Sequence, residues 1–149
     1  MKEHVDKIEK LNKMVSDSKL IVFFGGAGVS TESGIPDFRS AAGLYNKQYK
    51  YPAEEMLSAS FFENNPDEFY EFYKENLIFP DAKPNKAHFK LAELEDHGNL
   101  FAVITQNVDN LHQIAGSKNV YELHGSAYRN YCIDCGAKYS LEFIMNSKG

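Results

Sequence analysis

The chain has 149 residues, 43% hydrophobic and 25% charged, a balance that fits one soluble globular domain and excludes a disordered tail. At this size roughly two-thirds of the unfolded surface can be buried, so a core forms without disulfide staples, while a complete large multidomain enzyme is excluded. The net charge of -5 comes with basic residues scattered rather than gathered in a stripe, which argues against nucleic acid as a partner.

The longest apolar runs, residues 20–24 and 100–104, fall far short of the ~18 residues of a membrane span. The N-terminus is mixed in charge and opens an amphipathic pattern rather than a secretory signal, so the expected compartment is the cytosol. Val5, Ile8, Leu11 and Met14 recur every three residues and predict a helix with one apolar face, broken by Ser16-Asp17-Ser18. Leu20-Ile21-Val22-Phe23-Phe24 predicts a buried strand that runs into Gly25-Gly26-Ala27-Gly28. The middle of the chain reads as helical: Ser60 with Glu63 as a capping box, Asn65-Pro66-Asp67-Glu68 as a second helix start, and residues 85–96 as a helix closed near Gly98. A second buried strand over 100–104 emerges into Thr105-Gln106-Asn107, followed by a short helix over 109–115 and a third, shorter strand over 120–123. This alternation predicts an α/β fold with a doubly wound parallel sheet, whose ligands bind beyond the carboxyl ends of the strands. Residues 25–30 and 105–109 then share one rim.

Gly26-Ala27-Gly28 after a strand suits a dinucleotide, because glycine lets the backbone approach a pyrophosphate and turn its N–H groups toward it. Alone, the motif also fits a tight strand-to-helix turn that binds nothing. Thr31 stands where the third glycine of the fingerprint belongs, and the following ~60 residues do not complete a compact βαβ unit, which disfavours an ordinary NAD-dependent oxidoreductase.

The segment from Gly25 through Ile35-Pro36-Asp37-Phe38-Arg39-Ser40 is more specific, and it resembles the sirtuin family of NAD-dependent protein lysine deacylases. The resemblance continues in order through Thr105-Gln106-Asn107-Val108-Asp109-Asn110-Leu111-His112, Ala115-Gly116-Ser117, Glu122-Leu123-His124-Gly125 and the Cys132/Cys135 pair. It implies a Rossmann-like fold of sirtuin type with its second half missing: residues 1–125 the N-terminal part of the NAD-binding catalytic domain, with a helical insertion at about 40–98, and residues 126–149 the start of a small zinc-binding module. It implies NAD, as a consumed cosubstrate, on Gly26, Ala27, Gly28, Thr31, Asp37, Phe38, Arg39, Gln106, Asn107, Val108, Asp109 and His124, with acetylated-lysine proteins or peptides as the other substrate. Phe38 would shield the reactive ribose carbon from water, Asp109 would accept from the nicotinamide carboxamide, and Asn107 would orient ribose hydroxyls or a water. Arg39, which by itself could be a surface ion pair, would meet phosphate. His124 is implied as general base, a role suited to imidazole's unperturbed pKa of ~6.5. His4, His88, His97 and His112 read as surface or packing residues.

Cys132-Ile133-Asp134-Cys135-Gly136 reads as one half of a structural zinc site, since a tetrahedral ion needs four ligands; Tyr131 and Gly136 suggest a ribbon turn rather than the helix start of a redox pair. No further cysteine follows, so the resemblance implies the N-terminal portion of a sirtuin, with an incomplete zinc site and an open sheet edge inviting self-association. Two function classes follow: a deacetylase releasing nicotinamide and O-acyl-ADP-ribose, or a non-catalytic module that binds NAD, ADP-ribose or a partner. Sirtuins that prefer succinyl-lysine carry Tyr and Arg three residues apart in the helix matching residues 69–76; here Tyr73 is followed by Asn76, which implies an uncharged acyl group.

Overall fold

The computed structural model describes residues 2–148. Helix α1 (Lys2–Asp17) leads into strand β1 (Ile21–Gly25), a 3₁₀ helix over Ala27–Ser33, and three helices, α2 (Ala53–Met56), α3 (Ala59–Asn64) and α4 (Pro66–Asn76). Then come α5 (Lys86–Asp96), β2 (Leu100–Thr105), α6 (Leu111–Ile114), β3 (Val120–Glu122), the hairpin of β4 (Asn130–Tyr131) and β5 (Lys138–Tyr139), and α7 (Leu141–Asn146). The first three strands form a parallel sheet in the order β1-β2-β3, with helices between them, as the alternation of elements requires. Gly25 lies opposite Thr105 and Thr105 opposite Glu122, so all three strands end at one rim. One irregularity between Ile21 and Val22 leaves Phe101 out of the register.

Helix α5 covers one face of this sheet. Asn85 caps it reciprocally, its side chain accepting from the Ala87 N–H at 2.9 Å while its own N–H donates to His88 Nδ1 at 3.2 Å, and Gly98 ends the turn at φ +77°. Leu91 packs on Leu100 and Val103, with Ile21, Phe23, Leu94 and Val120 around them. Strand β1 is buried on this face only, and on the far face of β2 the small Ala102 is covered while Phe101 is not. Val22 and Phe24 are 52% and 60% exposed and Phe101 58%, which corrects the expectation of wholly buried strands. A parallel strand reads as a continuous apolar run because both faces are normally covered, and among the described residues α5's side is covered far more fully. The apolar stripe of α1 is likewise bare, with Ile8 58% and Leu11 59% exposed.

A second core sits among the helices after the 3₁₀ turn, where Ala53, Met56, Phe61 and Phe72 pack with Tyr45, Tyr49, Tyr51, Leu57 and Phe69. Helix α3 starts one turn element earlier than the sequence suggests. Ser58, not Ser60, is its cap, accepting from the Phe61 N–H at 3.1 Å, because Ser60 already lies inside the helix. Helix α4 begins at Pro66 with Asp67 and Glu68 in its first turn, where the helix dipole favours acids.

Candidate active site

The rim is assembled from three loops that follow β1, β2 and β3. After β1 the backbone passes through Gly26 in an extended conformation and turns into the 3₁₀ helix, held by Val29 N–H on the Gly26 carbonyl at 3.0 Å and Thr31 Oγ1 on the Gly28 carbonyl at 3.0 Å. The glycines lead into a seven-residue 3₁₀ helix, closed by Gly34 at φ +85°. A Cβ placed on Gly28 would meet no atom within 4 Å, so the loop is open on that side.

The loop after β2 is bound to the first one. Gln106 N–H donates to the Gly25 carbonyl at 3.0 Å, and Asn107 N–H to Thr105 Oγ1 at 3.0 Å. Ser30, fully buried, donates its hydroxyl to Asp109 Oδ2 at 2.6 Å and accepts from Asn107 Nδ2 at 3.0 Å. Asp109 Oδ1 takes the Leu111 N–H at 3.0 Å, with Asn110 at φ +63° making the turn. The Asp109 carboxylate is therefore fixed from both oxygens while each keeps accepting capacity. Asn85 Nδ2 donates to the Val29 carbonyl at 2.7 Å and to Ser33 Oγ at 3.1 Å, fastening the 3₁₀ turn to the start of α5.

After β3, Leu123 N–H reaches the Thr105 carbonyl at 2.9 Å and His124 Nδ1 lies 3.1 Å from the Gln106 carbonyl oxygen. A carbonyl only accepts, so this contact places a proton on Nδ1 and, in the neutral ring of this exposed residue, leaves the lone pair on Nε2. Gly26, Gln106, Asn107, Val108, Asp109 and His124 are thus brought together. Asp37, Phe38 and Arg39 stand on a neighbouring loop whose hydrogen bonds run within itself: Leu44 N–H to the Asp37 carbonyl, Tyr45 N–H to the Phe38 carbonyl and Asn46 Nδ2 to the Arg39 carbonyl. The Ser40 hydroxyl and N–H hold the Asp37 carboxyl below its ordinary pKa, and Phe38 packs on Tyr45 at 5.4 Å between ring centroids. Gly43 is required there, since a Cβ would come within 2.7 Å of the Phe38 backbone.

Beneath the rim lie two buried histidines. The rings of His88 and His112 are 4.7 Å apart, and both are 1% exposed or less. Burial and the adjacent His88 push His112 down to about 4 against the pull of Asp109; burial also lowers His88. Both are neutral at physiological pH, floor rather than reagents. His97 is exposed, and the side chain of His4 lies outside the described residues. Ser30, the tether made by Asn85 and the contact between the two histidines, each of which reads singly as a packing residue, are what sequence reasoning missed. Ser30 sits inside the glycine motif, yet its partner Asp109 is 79 positions away, a contact no local pattern announces.

Cys132 and Cys135 occupy the turn between β4 and β5, with Cys132 N–H on the Ala137 carbonyl at 2.8 Å, Gly136 N–H on the Cys132 carbonyl at 2.9 Å and Gly136 at φ +70°. Backbone N–H groups of Cys135 and Asp134 keep the Cys132 thiol below its ordinary pKa, which suits a metal ligand. Two thiols are half of a tetrahedral set, and among the described residues no group of three or more ligand side chains completes it.

The profile of the Sir2 family matches residues 26–148, which includes all of these loops and the cysteine hairpin. The chain belongs to the Sir2 family. It is similar to the NAD-dependent protein deacetylases of Clostridium acetobutylicum and Clostridium perfringens, each 60% identical over 146 residues, covering 97% of this chain and 60% of the relative. Among solved structures, a Sir2 with a deacetylated p53 peptide and 3'-O-acetyl ADP ribose superposes with a TM-score of 0.82 at 48% identity, over 91% of this chain and 54% of that one. A Sir2 bound to acetylated peptide gives a TM-score of 0.76 at 46% identity, over 91% of this chain and 52% of that one. This Sir2 chain thus spans about three-fifths of the length of the curated relatives it matches.

Proposed function

We propose that the chain carries the NAD-binding rim and the general base of an NAD-dependent protein lysine deacetylase. The observation that carries the reading is the His124 ring, held through Nδ1 on the Gln106 carbonyl with Nε2 free, beside the Ser30–Asn107–Asp109 network. In this reading NAD lies across the rim, with its pyrophosphate against the open side of Gly28 and Arg39 as counter-charge. The acyl oxygen of acetyl-lysine attacks the ribose carbon that bears nicotinamide, and nicotinamide leaves. Asp109 holds the carboxamide, Asn107 steadies a ribose hydroxyl or water, and Phe38 keeps bulk water from the reacting carbon. His124 then takes a proton from a ribose hydroxyl at Nε2; that hydroxyl adds to the acyl carbon, and water completes release of free lysine and O-acyl-ADP-ribose. Cys132 and Cys135 would supply two of the four ligands of a structural zinc.

The test is release of nicotinamide and deacetylated peptide from NAD and an acetyl-lysine peptide, by the chain alone and by the chain extended to the length of its relatives. His124→Ala is expected to lose deacetylation at least ~100-fold and to keep NAD binding; full turnover by this variant overturns the assignment. The apolar residues bared on α1 and β1 favour a second reading, in which the chain alone binds NAD, ADP-ribose or a protein partner without turnover. Saturable ADP-ribose binding with no nicotinamide release from the chain alone decides for it.

A further inference from the structure

The turn that carries His124 is closed by a side-chain pair that the chemistry above does not use. Glu122, the last residue of β3, is opposite Thr105 at the rim, and its side chain is only 4% exposed. Arg129, half exposed and seven residues on, reaches back so that its Nη1 lies 2.5 Å from Glu122 Oε2. Between them the chain makes a turn, with Gly125 N–H on the Glu122 carbonyl at 3.2 Å and Gly125 at φ +75°. It then returns to the second loop through Ala127 N–H on the Val108 carbonyl at 3.1 Å. His124 is exposed within this span, and its ring is held by the Nδ1 contact to the Gln106 carbonyl.

Glu122 Oε1 is buried without a partner. A buried carboxylate with one oxygen unpaired carries an uncompensated desolvation cost, so stability alone is a poor reason for this arrangement. Position is a better one. Two backbone hydrogen bonds, at Leu123 and Ala127, hold the ends of the turn on the β2 loop, and the ion pair is the side-chain bridge that closes the span containing His124. We propose that Glu122 and Arg129 are positioning residues, a clasp that keeps His124 Nδ1 on the Gln106 carbonyl and thereby fixes Nε2 as the free, basic nitrogen. This rests on the reading of His124 as general base, and it concerns only how that ring is held.

The experiment is nitrogen-15 NMR of the His124 ring in this chain, which reports the two tautomers without requiring turnover; loss of deacetylase activity therefore bears on the functional reading and leaves the clasp separately testable. The intact chain is expected to favour the Nδ1–H tautomer. In Glu122→Gln and in Arg129→Gln the tautomer ratio is expected to fall about fivefold, the worth of one ordinary hydrogen bond, with increased amide mobility confined to residues 123–126. Arg129→Lys, which keeps the charge, is expected to recover most of the ratio. Amide spectra of β1, β2 and α5 serve as the control for folding. An unchanged ratio in both glutamine variants overturns the clasp. A loss in Glu122→Gln with Arg129→Gln unchanged also overturns it, because the buried carboxylate would then act without its partner.

Discussion

The two faces of the three-stranded sheet are built from equally apolar residues and meet opposite fates. On one face Ile21, Phe23, Leu100 and Val103 pack under α5, and above them sit the buried histidines and the Ser30–Asp109 bond; on the other Val22, Phe24 and Tyr121 are more than half exposed. Hydrophobicity is thus a statement about what a residue can bury, and the neighbour decides whether it does. The covered face is also the one against which the rim loops are fastened. His88 and His112 pack on each other there, and Asn85 ties the glycine loop to the start of α5.

The sharpest way to break this comparison is to truncate one covered residue of the sheet and one residue of the equally apolar but bare stripe of α1. Leu100→Ala, at 3% exposure, is expected to cost about 2–5 kcal/mol of stability, whereas Ile8→Ala on the bare stripe of α1 is expected to change it by less than about 0.5 kcal/mol. Denaturant midpoints measure both, and equal losses would mean that the α1 stripe is covered in solution.

The covered face should also carry a pH signature. With the folded pKa of His112 at about 4 and the ordinary value of 6.5 in the unfolded chain, the unfolded state binds the extra proton between those limits. Stability is therefore fully present above pH 6.5 and falls as pH drops toward 4, by up to about 3 kcal/mol from this residue. His88, lowered in the same direction, adds to the slope. Urea unfolding across that window in the chain and in His112→Phe separates the contribution; coincident slopes would refute it.

A smaller effect sharpens the link between α5 and the rim. Asn85→Ala removes the cap and the hydrogen bonds to Val29 and Ser33, with an expected loss of about 1–2 kcal/mol. ADP-ribose binding should weaken in the same variant, since the glycine loop loses its tether. Calorimetry showing unchanged affinity would detach the loop's order from α5.

The smallest effect belongs to the helical region. Asn76 is engaged, accepting from the Tyr49 hydroxyl at 2.9 Å and donating to the Phe72 carbonyl at 3.1 Å, while burial raises the pKa of Tyr73, which stacks on Phe69. Neither side chain offers a cation to an acyl carboxylate. In the chain extended to the length of its relatives, acetyl-lysine peptide is expected to be preferred over succinyl-lysine by roughly tenfold in kcat/KM, about 1.4 kcal/mol. Equal efficiencies would mean that a cation reaches the acyl group from elsewhere.

The alternation of strands and helices, the glycine turn, the polar exits of β1 and β2, the extent of α5 and the resemblance that singled out His124 were legible in the sequence, because each is a local pattern whose cause is local. Periodicity, backbone freedom at glycine and capping chemistry act over a few residues. Only the assembled fold brings Ser30 to Asp109, packs His88 against His112, returns Arg129 to Glu122 and leaves Val22 and Phe24 bare. These depend on which segments the sheet order and α5 bring side by side. Packing and the dielectric it creates are properties of the assembled fold, and a residue's own neighbours in sequence do not contain them.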